Sequence, residues 1–213
     1  MCSRYAQGAD AKALSERFGA AAAPGAEPRW NLSGGRAAPV VIAAPARRMS
    51  LLRFGLKPAW AEGAEPALNA RAETAADKPY FREAFRRRRA LVPATAWFER
   101  PRRGADKAPR LFRRRDAALF AFAGLWEPGC FAILTVAPNS LVAGIHDRMP
   151  ALLAPHEEAE WLDPAAPPAR LAELLRPYPS ELLESVRVSA RVESGADDPS
   201  LVEAVPHPQG ELF

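Results

Sequence analysis

The stretch LFAFAGLWEPGCFAILTV, residues 119–136, decides the fold because it holds two apolar runs of strand length. These runs are Leu119–Leu125 and Phe131–Val136, and we expect each of them to form a buried β-strand. Working outward, four more segments of strand composition are Pro39–Ala44, Leu51–Leu56, Ala90–Phe98 and Arg110–Phe112. A seventh segment, Val186–Val192, alternates apolar and polar residues, as a half-buried strand does.

Few helices are predicted between these strands. Asp10 can cap a short helix that runs to Phe18 and ends at Gly19. The remaining predicted helices are Tyr80–Arg88, His156–Leu162 and Ala169–Leu175. The pattern predicts one α+β domain over residues 1–205, whose mostly antiparallel sheet curls into a barrel-like shape with a few flanking helices. Residues 206–213 are expected to form a loose C-terminal tail.

Composition excludes several classes of protein. With 213 residues, of which 48% are apolar, the chain can build a globular core. No run of 18 apolar residues is present, so a membrane-spanning helix is not expected. Two cysteines, Cys2 and Cys130, are too few for a disulfide scaffold, and the N-terminus lacks the apolar segment of a secretion signal. We therefore expect a cytoplasmic protein.

Charge is unevenly distributed along the chain. The net charge is +4, yet residues 82–115 hold 13 basic and three acidic side chains, whereas residues 156–213 hold four arginines and 12 acidic side chains. Such polarity predicts one basic face that suits phosphate groups. A merely solvated charged surface would give the same pattern, so charge alone leaves nucleic-acid binding open.

Cys2 is the first candidate for chemistry. Removal of Met1 would leave Cys2 with a free amine and a thiol on adjacent carbons, whose pKa values lie near 7.7–8.0 and 8.5. Both groups are then partly nucleophilic at neutral pH, and with an aldehyde they form an imine that closes to a five-membered thiazolidine. The alternative is an incidental cysteine on a loose terminus.

Three further positions carry polar groups beside apolar segments. His146 is a candidate general acid or base, Glu99 ends an apolar run beside Trp97, and Asn69 opens the segment Asn69–Thr74. The alternatives are a structural histidine, an ion-paired glutamate and a helix-capping asparagine. No CxxC pair, HExxH, P-loop or GxGxxG motif is present, so neither a metal nor a nucleotide cofactor is predicted.

Six motifs occur in one order along the chain, and together they are far more specific than any one of them. They are Met1–Tyr5 (MCSRY), Phe54–Trp60 (FGLKPAW), Asn69–Thr74 (NARAET), Leu91–Glu99 (LVPATAWFE), Phe122–Glu127 (FAGLWE) and Ile145–Pro150 (IHDRMP). This set resembles the SRAP family, the SOS response-associated peptidases or abasic site processing proteins.

The resemblance implies a monomer that senses abasic sites in single-stranded DNA and bonds to them covalently, without a cofactor or a membrane. It implies that Cys2 is the crosslinking nucleophile, that Asn69 orients the reacting groups, that Glu99 transfers protons and that His146 assists sugar opening. It further implies that Arg4, Arg71 and Arg148 contact the DNA backbone. Asn31 and Trp60 complete the predicted DNA-binding set.

Some positions depart from the family pattern, among them Arg100, where a tryptophan is common, and Glu193, where an asparagine is usual.

Two other functions fit the same residues. One is a cysteine peptidase that uses Cys2 as an N-terminal nucleophile and removes Met1 itself, and the other is a non-catalytic reader of modified bases.

Overall fold

The computed structural model describes residues 2–43, 46–101 and 106–206. Thirteen strands lie in these ranges: β1 (Arg4–Gln7), β2 (Arg29–Ser33), β3 (Ala37–Ala43), β4 (Arg47–Phe54), β5 (Asn69–Arg71), β6 (Arg89–Ala94), β7 (Ala96–Glu99), β8 (Arg110–Arg114), β9 (Phe120–Glu127), β10 (Cys130–Val136), β11 (Met149–Pro150), β12 (Leu152–Leu153) and β13 (Leu183–Arg187). The α-helices are α1 (Ala11–Phe18), α2 (Ala72–Ala75), α3 (Pro79–Arg87), α4 (Ser140–Ala143), α5 (Glu158–Leu162) and α6 (Pro168–Leu174). Short 3-10 helices cover Pro155–Glu157, Ser180–Leu182, Ala190–Glu193 and Pro199–Val202.

The strands form two sheets. The first is antiparallel throughout, in the order β13-β8-β7-β1-β2. The second closes on itself because β9 pairs with both β6 and β10, and β10 pairs in turn with β4. Strands β4 and β5 run parallel to β10, whereas the other pairs in this sheet are antiparallel. The predicted α+β class and curled, mostly antiparallel sheet are confirmed.

Local signals placed several elements correctly. Helix α1 begins after Asp10, whose carboxylate accepts the N–H of Ala13 at 2.8 Å, and it ends at Gly19 in the left-handed conformation. Helix α3 starts one residue before the predicted Tyr80 and buries Phe81 and Phe85 on one face. The predicted end of one strand, Ala44, and all of the predicted tail except Pro206 lie outside the described residues.

Three predicted strands differ from the structure. The run Ala90–Phe98 is two strands, β6 and β7, which belong to different sheets and are separated at Thr95. The hydroxyl of Thr95 accepts the N–H of Gly8 at 3.1 Å and donates to the Ala6 carbonyl at 3.2 Å, so tertiary contacts make the break.

The prediction for Val186–Val192 was wrong beyond its first two residues, because β13 ends at Arg187 and a 3-10 helix starts at Ala190. There the Ser189 hydroxyl caps the helix by accepting the N–H of Arg191 at 3.2 Å. The strand predicted at Leu51–Leu56 starts earlier, at Arg47, and stops at Phe54, because Gly55 has a φ of 128°.

The main core lies where the two sheets face each other. Phe122 of the second sheet meets two aromatic side chains of the first, Tyr5 and Trp97, with ring centroids 5.9 and 6.1 Å apart. A smaller cluster, which includes Ala6, Phe98, Val188, Val192 and Leu201, packs the C-terminal segment against the other face of the first sheet. This packing brings residues 188–201 beside the ends of β1 and β7.

Candidate active site

A cavity of about 430 Å³ opens at the end of β7, beside the beginning of β1. Its lining comes from five separate stretches of the chain: Ser3, Arg4, Phe98, Glu99, Arg100, Pro101, Pro109, His146, Val192 and Glu193. Two residues of this lining, Glu99 and His146, are predicted site residues with buried, ionisable side chains.

Cys2 is fully buried in the main core, immediately before the cavity-lining Ser3. Its thiol lies 3.8 Å from the carbonyl oxygen of Arg4, and its own carbonyl accepts a hydrogen bond from Asn69 Nδ2 at 3.0 Å. Burial raises the pKa of the Cys2 thiol well above its ordinary value, and the negative charge of Glu99 raises it further. Cys2 is therefore a protonated thiol at neutral pH, and Asn69 fixes its backbone.

Glu99 and His146 face each other, with 3.9 Å between Glu99 Oε2 and His146 Nε2. The Nδ1 atom of His146 accepts the N–H of Arg148 at 3.1 Å and lies 2.9 Å from Asp147 Oδ1. When Nδ1 is bare it bonds to the amide, and when it is protonated it can donate to the carboxylate. The imidazole can thus take up or release a proton beside Glu99.

Arg4 reaches the cavity, and Asn31 orients it. Arg4 Nη1 donates to Asn31 Oδ1 at 3.2 Å, while Asn31 Nδ2 donates to the carbonyls of Val192 at 2.9 Å and Ala196 at 2.7 Å. Asp197 completes the link by accepting the N–H of Asn31 at 3.0 Å. Asn31 is 5% exposed and its amide is engaged with protein groups, so it positions Arg4 and the wall of the cavity.

The predicted DNA-binding residues Arg71 and Arg148 flank a carboxylate. Arg148 makes a two-pronged ion pair with Glu73, at 2.7 and 2.8 Å, and also donates to the Thr135 carbonyl. These contacts and the charge of nearby Arg71 lower the pKa of Glu73. The Arg71 side chain is exposed, whereas that of Arg148 is only 15% exposed. Of this pair, Arg71 is the more accessible to a phosphate.

Trp60 is not among the residues that line the cavity. Its side chain is 65% exposed and packs edge-on against Tyr80, with 6.2 Å between ring centroids. Arg100, Val192 and Glu193 also line the cavity, and no motif in the sequence predicts a role for them. The one signal at these positions is that Arg100 and Glu193 depart from the family pattern.

Among residues 2–43, 46–101 and 106–206, no group of three or more His, Cys, Asp or Glu side chains could hold a metal ion. In the same ranges, no helix has the length and apolar character needed to cross a membrane.

Comparison with known proteins gives consistent matches. A family model described as SOS response associated peptidase (SRAP) matches residues 1–195, which include the whole cavity lining. The abasic site processing protein YoqW of Bacillus subtilis is 37% identical over 172 residues, covering 74% of this chain and 77% of the relative. The abasic site processing protein YedK of Escherichia coli is 32% identical over 117 residues, covering 51% and 52%. A crystal structure of a protein from Bacteroides thetaiotaomicron matches with a TM-score of 0.87 and 27% identity, covering 96% of this chain and 100% of that one.

Proposed function

The chain belongs to the SOS response associated peptidase (SRAP) family, and from this premise we propose that it processes abasic sites in DNA. The names of its relatives, abasic site processing proteins, support this assignment. We further propose that it acts on single-stranded DNA and bonds to the lesion through Cys2 after Met1 has been removed.

The proposed reaction starts from the open-chain aldehyde of the abasic sugar. The neutral amine of Cys2 attacks the aldehyde carbon, and the former carbonyl oxygen leaves as water to give an imine. The thiol sulfur then adds to the imine carbon, and its proton passes to the nitrogen. The product is a thiazolidine, and because the imine is consumed, β-elimination of the 3′ phosphate is prevented.

Glu99 and His146 are the proposed proton-transfer groups. The Cys2 amine must be neutral, and its thiol deprotonated, to attack carbon. Glu99 accepts the proton that either group loses. The raised pKa of the Cys2 thiol makes such a base necessary at neutral pH. His146, 3.9 Å from Glu99, protonates the ring oxygen of the closed sugar and so promotes its opening.

Arg4, Arg71 and Arg148 are the proposed phosphate contacts, and Trp60 is the proposed stacking platform for a base. Asn31 supports this set indirectly through its hydrogen bond to Arg4. One observation carries the proposal: the buried Cys2 lies together with Asn69, Glu99 and His146 beside one cavity.

Intact mass spectrometry of the purified protein, alone and with an abasic single-stranded oligonucleotide, tests the proposal. We expect loss of Met1, and we expect an adduct whose mass is the sum of protein and DNA less one water. Cys2→Ala should give no adduct, while Cys130→Ala, the matched control for a second cysteine, should give the wild-type amount.

Two added measurements, of peptide turnover and of DNA binding by Cys2→Ser, separate the other two functions. A cysteine peptidase would turn over a peptide and leave the abasic oligonucleotide unmodified. A non-catalytic reader of modified bases would bind equally well with Cys2→Ser and give no covalent product. An adduct that survives Cys2→Ala would place the nucleophile elsewhere and refute the proposed chemistry.

A further inference from the structure

An exposed ion pair forms part of the lining of the cavity. Arg100 follows β7 directly after Glu99, and Glu193 ends the 3-10 helix Ala190–Glu193. Arg100 Nη1 and Glu193 Oε1 are 3.2 Å apart, and the two side chains are 61% and 39% exposed. The pair therefore connects the strand that carries Glu99 to the C-terminal segment, in contact with solvent.

The two partners differ in how firmly they are held. Glu193 follows Val192, which is buried and whose carbonyl accepts a hydrogen bond from Asn31 at 2.9 Å, so its backbone is fixed. Arg100 has a long side chain in solvent, and exposed ion pairs contribute little free energy. A guanidinium group binds a phosphodiester through two parallel hydrogen bonds, as it binds a carboxylate. A DNA phosphate can therefore replace Glu193 at little cost.

We propose that Arg100 is a further phosphate-binding residue of this site and that Glu193 is its built-in competitor. This inference rests on the proposed function, since it concerns the strand that carries the aldehyde. An aminothiol reacts with aldehydes in general, including uncharged ones. An uncharged aldehyde gains nothing from Arg100, whereas a phosphodiester chain displaces Glu193 and gains a phosphate contact. Arg100 thus favours aldehydes carried by DNA.

Binding of an undamaged single-stranded oligonucleotide, measured by fluorescence anisotropy over a range of salt concentrations, tests the pair without any covalent step. We expect Glu193→Gln to tighten binding about twofold to fivefold, because Arg100 loses its competitor. Arg100→Gln should weaken binding and reduce the slope of log affinity against log salt by about 0.7, the value of one phosphate contact. In the Arg100→Gln background, Glu193→Gln should change little.

Glu173→Gln is the matched control, because Glu173 is also an exposed glutamate paired with an arginine, Arg170, but does not line the cavity. If Glu173→Gln and Glu193→Gln tighten binding equally, the effect is one of net charge and the proposal is overturned. An equal effect of Glu193→Gln with and without Arg100 overturns it too.

A second measurement concerns selectivity. Adduct formation with glycolaldehyde, a small uncharged aldehyde, should have the same rate for Glu193→Gln, Glu173→Gln and the wild type, whereas adduct formation with a subsaturating abasic oligonucleotide should be severalfold faster for Glu193→Gln. Equal acceleration of both reactions by Glu193→Gln would refute the role in selectivity. Failure of all variants to form any adduct would refute the proposed function, and the anisotropy data would still decide whether Arg100 and Glu193 compete with DNA.

Discussion

At the scale of single residues, the decisive feature is the environment of the Cys2 thiol. Burial and the negative charge of Glu99 both raise its pKa. The same carboxylate is the nearest proposed base, so Glu99 opposes ionisation of the free thiol and yet receives its proton during reaction. These two effects can be separated, because only one of them requires the lesion.

Glu99→Gln should therefore lower the pKa of the Cys2 thiol towards its ordinary value while slowing crosslinking by about 10²-fold or more. The first effect follows from loss of the negative charge, and the second from loss of the base. The thiolate absorbance of the variant in a Cys130→Ser background gives the pKa, and single-turnover crosslinking gives the rate. An unchanged pKa would show that Glu99 does not act on the sulfur electrostatically.

Tyr5 presents a different situation at the same scale. Its hydroxyl is buried and has no hydrogen-bond partner among the described residues, and burial raises the pKa of its phenol above the ordinary value near 10. A buried polar group without a partner destabilises the folded state. The folded state therefore keeps the Tyr5 phenol proton at pH values where the unfolded state loses it. The free energy of unfolding is thus constant below about pH 10 and falls as the pH rises further.

We expect Tyr5→Phe to increase the free energy of unfolding by about 1 kcal/mol at neutral pH. Above pH 10 the wild type should lose up to about 1.4 kcal/mol per pH unit relative to the variant. Urea unfolding at several pH values measures both effects. Tyr178→Phe is the control, because the Tyr178 hydroxyl accepts a hydrogen bond from Arg114 at 3.2 Å, so its loss should destabilise the protein. A destabilised Tyr5→Phe variant would mean that the hydroxyl has a role in the folded state.

At the scale of secondary structure, local signals in the sequence predicted the long helices and strands, such as α1, α3, β9 and β10. The Asp10 cap, the Phe81 and Phe85 spacing and the apolar runs of β9 and β10 are all encoded within a few residues. The short strands β1, β2 and β5 carry too few apolar residues to show a period, and partner strands supply their backbone hydrogen bonds.

The candidate site was predicted unevenly for a similar reason. Cys2, Asn69, Glu99 and His146 could be proposed because each lies in a distinctive motif, and the structure brings them together. The wall at Val192 and Glu193 depends on hydrogen bonds between Asn31 and residues more than 160 positions away, which no local pattern encodes.

Arg89 supports the packing of two helices on the second sheet. It is 5% exposed, and its guanidinium donates to the carbonyls of Phe85, Arg86 and Trp161 at 2.7–2.8 Å, and also to that of Asp163. These carbonyls lie at the C-terminal ends of α3 and α5, where the helix leaves them without intrahelical partners. Arg89 therefore caps two helices at once.

Arg89→Met should lower the free energy of unfolding by about 3 kcal/mol, because it leaves four carbonyls without their donor. Urea unfolding followed by circular dichroism gives the value. Arg82→Met, at an exposed position on α3, should change stability by less than about 0.5 kcal/mol. Equal effects of the two substitutions would contradict the capping role.

At the scale of the whole molecule, the site depends on how the two sheets meet. The first sheet supplies Arg4 and Glu99, and Cys2 lies just before its strand β1. Asn69 lies in β5 of the second sheet, and His146 precedes β11. The aromatic contacts of Phe122 with Tyr5 and Trp97 join these sheets close to Cys2 along β1. The geometry of the site should therefore respond to that contact even though Phe122 does not line the cavity.

Phe122→Ala tests this dependence. Truncation of this fully buried ring should lower the free energy of unfolding by about 3–5 kcal/mol. Because Tyr5 and Trp97 lose a shared neighbour, crosslinking by the molecules that remain folded should also slow severalfold. Phe85→Ala is the matched control, since Phe85 is a buried phenylalanine packed on Trp161 at 5.9 Å, away from the contact between the sheets. Its cost in stability should be similar, with crosslinking per folded molecule unchanged, and equal crosslinking by the two variants would show that the contact between the sheets does not set the geometry of the site.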